Sequence, residues 1–174
     1  MLLPRLGPIV QIGYVVENLE ASVRRWIETT GVGPWTLFTN VMMQGVYRGE
    51  ATSVGMNVGL AYQNNVQIEL IEQTNKAKSP YRDPAGAPII GAHHIAWLVD
   101  DLDAALANAQ QMSLVFRAEN PTTRVAYLEA PGEAGVRYEL IESEMTAGLI
   151  KSGIEATRNW DGANPIQVID LGGG

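Results

Sequence analysis

The sequence predicts an α+β fold: two βαβββ modules forming a curved, barrel-like mixed sheet with helices on the outside. Three observations carry that prediction. A segment beginning at Gln11 recurs at His94, a second segment around Glu69 recurs in the same order around Glu139, and short β-branched runs alternate with amphipathic stretches.

The first match sets Gln11-Ile12-Gly13-Tyr14-Val15-Val16-Glu17-Asn18-Leu19-Glu20-Ala21 beside His94-Ile95-Ala96-Trp97-Leu98-Val99-Asp100-Asp101-Leu102-Asp103-Ala104. The second sets Val66-Gln67-Ile68-Glu69-Leu70-Ile71-Glu72 beside Val136-Arg137-Tyr138-Glu139-Leu140-Ile141-Glu142. Two collinear matches define one duplicated unit, with a first module over about 8–73, a linker over 74–91, a second module over about 92–143 and a C-terminal helix and tail over 144–174.

Each copy opens on a buried strand. A helix follows in the first copy, with Leu19, Val23, Trp26 and Ile27 on one face, Asn18 as its cap and Gly31 at its end. In the second copy Leu102, Ala105, Leu106 and Ala109 form the stripe behind a cap at Asp101. Three strands complete each unit, near 35–43, 51–63 and 65–73, then near 113–119, 124–130 and 135–143. Asn64-Asn65 and Pro131-Gly132 supply the last hairpin turns. The linker, with Pro80 and Pro84 in polar company, reads as irregular. The first copy is longer between Gly31 and Gly49, so the copies are functionally unequal. Leu149, Ile150 and Ile154 mark a helix after residue 143, and the closing glycines through Gly174 read as a loose end.

Composition narrows the partners. The 174 residues are 46% hydrophobic and 18% charged, enough for a sizeable core, and the net charge of −7 disfavours nucleic acid and anionic membrane surfaces. Without cysteine, disulfides and thiolate metal sites are excluded. Met1 to Arg5 carry no basic stretch leading into a long apolar run, and nowhere do eighteen apolar residues follow one another, so a cytoplasmic protein is expected.

Strand alternation places Gln67, Glu69 and Ile71 on one face and Val66, Ile68 and Leu70 on the other. Helices must cover the apolar side, which leaves Glu69, and by equivalence Glu139, on the concave face with Gln11 and His94. Taken singly, the two glutamates read as exposed strand charges and His94 as a hydrogen-bonded core histidine. Their equivalent placement in two copies favours a shared site. His93, as the strand neighbour of His94, is expected to point away, and Glu72 and Glu142 are expected to face solvent or a helix.

The string His93-His94-Ile95-Ala96-Trp97-Leu98-Val99-Asp100-Asp101-Leu102-Asp103-Ala104 resembles the vicinal-oxygen-chelate superfamily, which includes glyoxalase I, methylmalonyl-CoA epimerase, extradiol dioxygenases and bleomycin-resistance proteins. The resemblance covers about residues 8–143. It implies that Glu69, His94 and Glu139 are metal ligands. Gln11 stands where epimerases have histidine, and is similar to the glutamine of eukaryotic-type glyoxalase I. Two carboxylates, one imidazole and one amide oxygen suit zinc, manganese, iron, cobalt or nickel. Such an ion would stabilise an enolate or enediolate while a carboxylate takes the carbon-bound proton, with Glu139 the first choice for that base and Glu69 the second.

The leading expectation is thus a metal-dependent isomerase, epimerase or lyase acting on a small carbonyl substrate. The alternatives are a non-haem iron dioxygenase, disfavoured because Gln11 replaces a histidine, and a metal-free drug-sequestering protein. Trp35, Tyr47, Arg48 and Tyr127 are the candidate pocket residues, with Phe38, Met42, Met43 and Arg124 considered beside them. The resemblance also implies a homodimer.

Overall fold

A computed structural model describes residues 6–133 and 135–172; Gly173 and Gly174, read above as part of a loose end, lie outside them. The elements run β1 (Gln11–Val15), α1 (Leu19–Thr30), β2 (Trp35–Tyr47), β3 (Glu50–Gln63), β4 (Val66–Gln73), β5 (Gly91–Leu98), α2 (Leu102–Asn108), β6 (Ser113–Asn120), β7 (Thr123–Glu129), β8 (Arg137–Glu142), α3 (Glu144–Arg158) and β9 (Ile166–Asp170).

The sheet runs β3-β4-β1-β5-β8-β7-β6-β2-β9, and β2 also pairs with β3, closing eight strands into a barrel. Each βαβββ unit contributes four of them. The units meet at two antiparallel seams, β1 with β5 and β2 with β6. Closure therefore happens within one chain.

Both faces of the sheet are apolar, but for different reasons. Leu19 and Val23 of α1 pack on Trp35, Leu37, Ile68 and Leu70 outside the barrel. Leu102 of α2 packs likewise on Trp97, Ala126, Leu128 and Leu140. Inside, Val15, Met43, Val54, Met56, Ile71, Val125, Tyr127 and Ile141 form the central cluster. The alternation expected for β4 is the one observed: Ile68 and Leu70 face α1 while Ile71 faces the interior.

The duplicated acids have duplicated structural uses. Asn18 and Asp101 accept from the backbone N–H of Ala21 and Ala104, capping α1 and α2. Glu72 accepts from Leu19 N–H at 2.9 Å and Glu142 from Leu102 N–H at 2.6 Å. Each negative side chain thus sits at the positive end of a helix, satisfying a donor that has no partner within it.

The linker is irregular, as read from sequence, yet part of it is buried: Ser79 and Tyr81 are buried, and Tyr81 belongs to the interior cluster. The tail forms β9, a strand the sequence did not announce, lying parallel to the first half of β2. The second half of β2 pairs with β6 instead. The extra length of the first copy is the β2–β3 hairpin, which turns tightly at Arg48 and Gly49, both at positive φ.

Replacing Glu72 by alanine should lower stability by about 1 kcal/mol through loss of the α1 acceptor. Denaturant titration should show a lower midpoint with an unchanged slope.

Candidate metal centre

The strand order β4-β1-β5-β8 sets Glu69, Gln11, His94 and Glu139 on four adjacent strands. Register aligns them. Gly13 pairs with Glu69 on one side and His94 on the other, while Ala96 pairs with Gln11 and Glu139. Small residues at positions 13 and 96 leave the interior free for the larger side chains. A β-carbon at Gly13 would overlap the His94 ring, so glycine there is a spatial requirement of the site.

Three oxygens converge on one nitrogen. His94 Nε2 lies 3.0 Å from Gln11 Oε1, 3.1 Å from Glu69 Oε2 and 3.1 Å from Glu139 Oε2. His94, Gln11 and Glu139 are buried, and Glu69 is partly so. One ring nitrogen carries at most one proton and cannot satisfy three acceptors. Glu139 Oε2 indeed accepts no well-directed hydrogen bond although it is buried. A buried carboxylate oxygen without a donor is costly.

Burial alone pulls the His94 pKa down, but the neighbouring carboxylates of Glu139 and Glu69 outweigh it and hold it up at about 9. Burial raises that of Glu139, with His94 opposing and Glu69 adding to the rise. One imidazole thus serves two carboxyl groups in the core.

A small divalent cation fits this arrangement. Ligand atoms each about 2.1 Å from an ion lie about 3 Å apart when adjacent, which is the distance from His94 Nε2 to each of the three oxygens. The cation would remove the proton from His94, neutralise both carboxylates and occupy the orphaned oxygen.

The His94 tautomer is prepared for it. Pro80 carbonyl, 2.8 Å from His93 Nε2, can only accept, so His93 donates there. Burial and His94 hold the His93 pKa down at about 3, so the ring is neutral and its Nδ1 accepts from His94 Nδ1–H at 2.9 Å. That leaves His94 Nε2 as the donor atom facing the oxygens. His93 therefore does not point away from the site, as alternation suggested. The ladder between β1 and β5 shifts register after Gly13, and His93 occupies the bulge that turns it in behind His94.

The cluster floors a cavity of about 150 Å³. Phe38, Met43, Met56, Val58, Leu60 and Val125 line it, with Glu69 and Glu139 at one end and Met145 and Leu149 of α3 over it. Tyr127 lines it too, stacked on His94 with ring centroids 5.2 Å apart, and its hydroxyl lies 2.9 Å from that of Tyr81. Burial raises both tyrosine pKa values well above the ordinary one, so the pair stays protonated.

Three expected pocket residues lie elsewhere. Trp35 is packed under α1 with its indole N–H on Val32 carbonyl, because Asn40, at positive φ, interrupts the β2 ladder and reverses which residues face inward. Tyr47 lies edge-on to Phe116 at the end of β2. Arg48 is on the hairpin turn, 3.0 Å from Glu129 and about half exposed. Met42 is exposed, and Arg124 is engaged by Asp103 and Glu142. Gln67 lies on the face of Glu69, as alternation places it, whereas Tyr81, Tyr62 and His93 are not anticipated at the site, since their places depend on how the linker and strands fold together.

A duplicated barrel with a His, Glu and Gln cluster on its inner face defines a vicinal-oxygen-chelate protein. Residues 10–127 match the Glyoxalase/Bleomycin resistance protein/Dioxygenase superfamily, and the chain belongs to it. Comparison with curated proteins returns no match. Among solved structures, a hypothetical protein from Bacillus halodurans C-125 is similar over 79% of this chain and 94% of its own, with 17% identity and a TM-score of 0.54. Methylmalonyl-CoA epimerase from Mycobacterium tuberculosis is similar over 80% of this chain and 90% of its own, with 18% identity and a TM-score of 0.50. At these identities the likeness is one of fold. Among the described residues no helix is long and apolar enough to cross a membrane.

The variant Gly13→Ala should push the His94 ring out of line. Calorimetric titration with zinc should show affinity at least tenfold weaker than wild type, and overpacking should lower stability by about 1–3 kcal/mol.

Proposed function

We propose that this chain is a metal-dependent isomerase, epimerase or lyase that works through an enolate or enediolate on a small carbonyl substrate. One observation carries the reading: two carboxylates, an imidazole and an amide oxygen, largely buried, converge at the end of an apolar cavity with one oxygen orphaned. Gln11, Glu69, His94 and Glu139 would hold the ion. A bound divalent cation would supply Lewis-acid stabilisation of negative charge developing on a substrate oxygen.

The remaining work falls to the chain. Glu139 is the proposed base. Its side chain is only 6% exposed, and burial raises its affinity for a proton, as removal of a hydrogen from carbon demands. Glu69 lines the same cavity from the neighbouring module and is the second candidate. Tyr127 and Tyr81 remain protonated and so serve as hydrogen-bond donors at the wall. Met145, Leu149 and Leu171 add apolar surface to the cavity lining.

The cavity also limits the substrate. Its volume is about 150 Å³, below the range of roughly 300–1,000 Å³ usual for drug-sized ligands, so a compact group reaches the floor. Among the described lining residues none is lysine or arginine, which favours an uncharged, apolar substrate body. One imidazole with two carboxylates also departs from the two-histidine, one-carboxylate set of non-haem iron oxygenases. The shared fold of the mycobacterial epimerase is compatible with proton transfer at carbon.

Metal-loaded protein should exchange deuterium from solvent into the carbon next to a carbonyl in a panel of small ketones, hydroxyketones and thioesters, read by NMR. Glu139→Gln, compared with wild type at saturating zinc, should slow that exchange by about 10²–10⁴-fold. Chelation should abolish it, and readdition of metal restore it. A panel without exchange at full metal occupancy would overturn the catalytic reading.

A further inference from the structure

We propose that Tyr62 and Gln67 are positioning residues that decide which end of the Gln11 amide faces the metal centre, and that they tie this choice to the seating of α3. The inference rests on the reading of Gln11 as a ligand and extends it to two residues that touch neither ion nor substrate.

An amide side chain has an oxygen that coordinates a cation and an NH2 group that repels one. Gln11 is neutral and buried, so its two ends are distinguished only by what surrounds them. The direction comes from a backbone carbonyl on α3. Leu149 C=O can only accept, and Tyr62 O–H donates to it at 3.0 Å. Having used its proton, the Tyr62 oxygen accepts from Gln67 Nε2 at 2.8 Å. Gln67 is thereby oriented with Oε1 outward, and that oxygen accepts from Gln11 Nε2 at 2.7 Å. The remaining end of Gln11 is Oε1, 3.0 Å from His94 Nε2 and aimed into the cluster. Every link is polarised from the carbonyl inward, and reversing any one would set donor against donor or acceptor against acceptor.

Burial keeps water from substituting. Gln11 is 3% exposed, Gln67 1% and Tyr62 7%. Gln67 pairs directly with Gln11 across the β1–β4 ladder. Tyr62 lies at the end of β3, where a β-carbon on Gly153 of α3 would overlap its ring. Close approach of α3 is thus built into the contact, and the same helix places Met145 and Leu149 over the cavity. Covering the cavity and orienting the amide are one event.

The test uses the full chain in four forms: wild type, Tyr62→Phe, Gln11→Glu and the double variant, with Gln67→Leu as a second break in the relay. Tyr62→Phe keeps the ring that packs on Gly153. Cobalt(II) titration followed by visible absorption should show about tenfold weaker binding in Tyr62→Phe, and up to about a hundredfold in Gln67→Leu. In Gln11→Glu either carboxylate oxygen can coordinate, so orientation ceases to matter and adding Tyr62→Phe should cost less than about twofold. Equal losses in both backgrounds would reduce Tyr62 to a packing role and overturn the proposal, as would no loss in either. A metal-free readout separates this from the metal assignment: Gln11 side-chain NH2 protons, identified by their disappearance in Gln11→Glu, should exchange with solvent at least tenfold faster in Tyr62→Phe. Wild-type protein that binds no cobalt would sink the metal reading alone, and unchanged amide exchange would sink the relay.

Discussion

The antiparallel pairing of β1 with β5 is the constraint on which the rest of the molecule depends. It joins the two halves of the chain, and the same ladder brings Gln11 and His94 onto neighbouring strands. The parallel partners on either side, β4 and β8, then add one carboxylate each. Equivalent positions in a duplicated unit meet wherever its two copies pair through the same strand. Polar side chains placed on two strands of each module therefore gather into one four-residue cluster without any loop to hold them. Sites built on strands are held more tightly than sites on loops, which suits a centre whose donor atoms must stay near 3 Å apart.

That geometry has an electrostatic cost. Two carboxylates and an imidazole largely buried in an apolar barrel would be replaced with advantage by hydrophobic residues if stability were the only criterion. One imidazole faces two carboxyl groups, and Glu139 keeps a buried oxygen without a well-directed donor. A divalent ion would answer both deficits at once. The His94 imidazole and the Gln11 amide are each oriented by a backbone carbonyl that accepts and cannot donate. Pro80 fixes the His93 and His94 tautomers, and Leu149 fixes the polarity that runs through Tyr62 and Gln67 to Gln11. Both carbonyls lie outside the repeat, in the linker and in α3.

The distinction between repeat and additions explains what could be read from sequence. Helix ends at Asn18, Gly31 and Asp101 are local signals, and the structure uses them as caps. The face on which Glu69 lies follows from period-two alternation and from where α1 must pack. Both survive because nothing interrupts β4. Alternation fails wherever a ladder slips. The register shift after Gly13 turns His93 inward, and the interruption at Asn40 sends Trp35 toward α1 while Met43, of the same parity, faces the cavity. Tyr81 was invisible for another reason. It sits in a polar, proline-broken segment, and its burial arises only when that segment folds over the end of the barrel. The β9 strand likewise has no periodic signal, because neither of its faces is buried.

Duplication gives symmetry, and symmetry alone would offer two equal cavities facing two equal seams. The additions remove that equality. The long β2–β3 hairpin supplies Phe38, Met43, Met56, Val58 and Leu60 to one wall, whereas β6 and β7, its shorter counterparts, supply Asn120, Thr123, Val125 and Tyr127. The α3 helix, with no counterpart in the first module, lies across β3 and β7 and covers the cavity those walls enclose. One half of the barrel wall is thus apolar and extended, the other shorter and carrying hydroxyl and amide groups. A molecule entering between them would meet a carboxyl group from each module but dissimilar surroundings on its two sides. Unequal walls around equivalent carboxylates allow one glutamate to remove a proton from carbon while its partner serves mainly to hold charge, which is the division assigned here to Glu139 and Glu69.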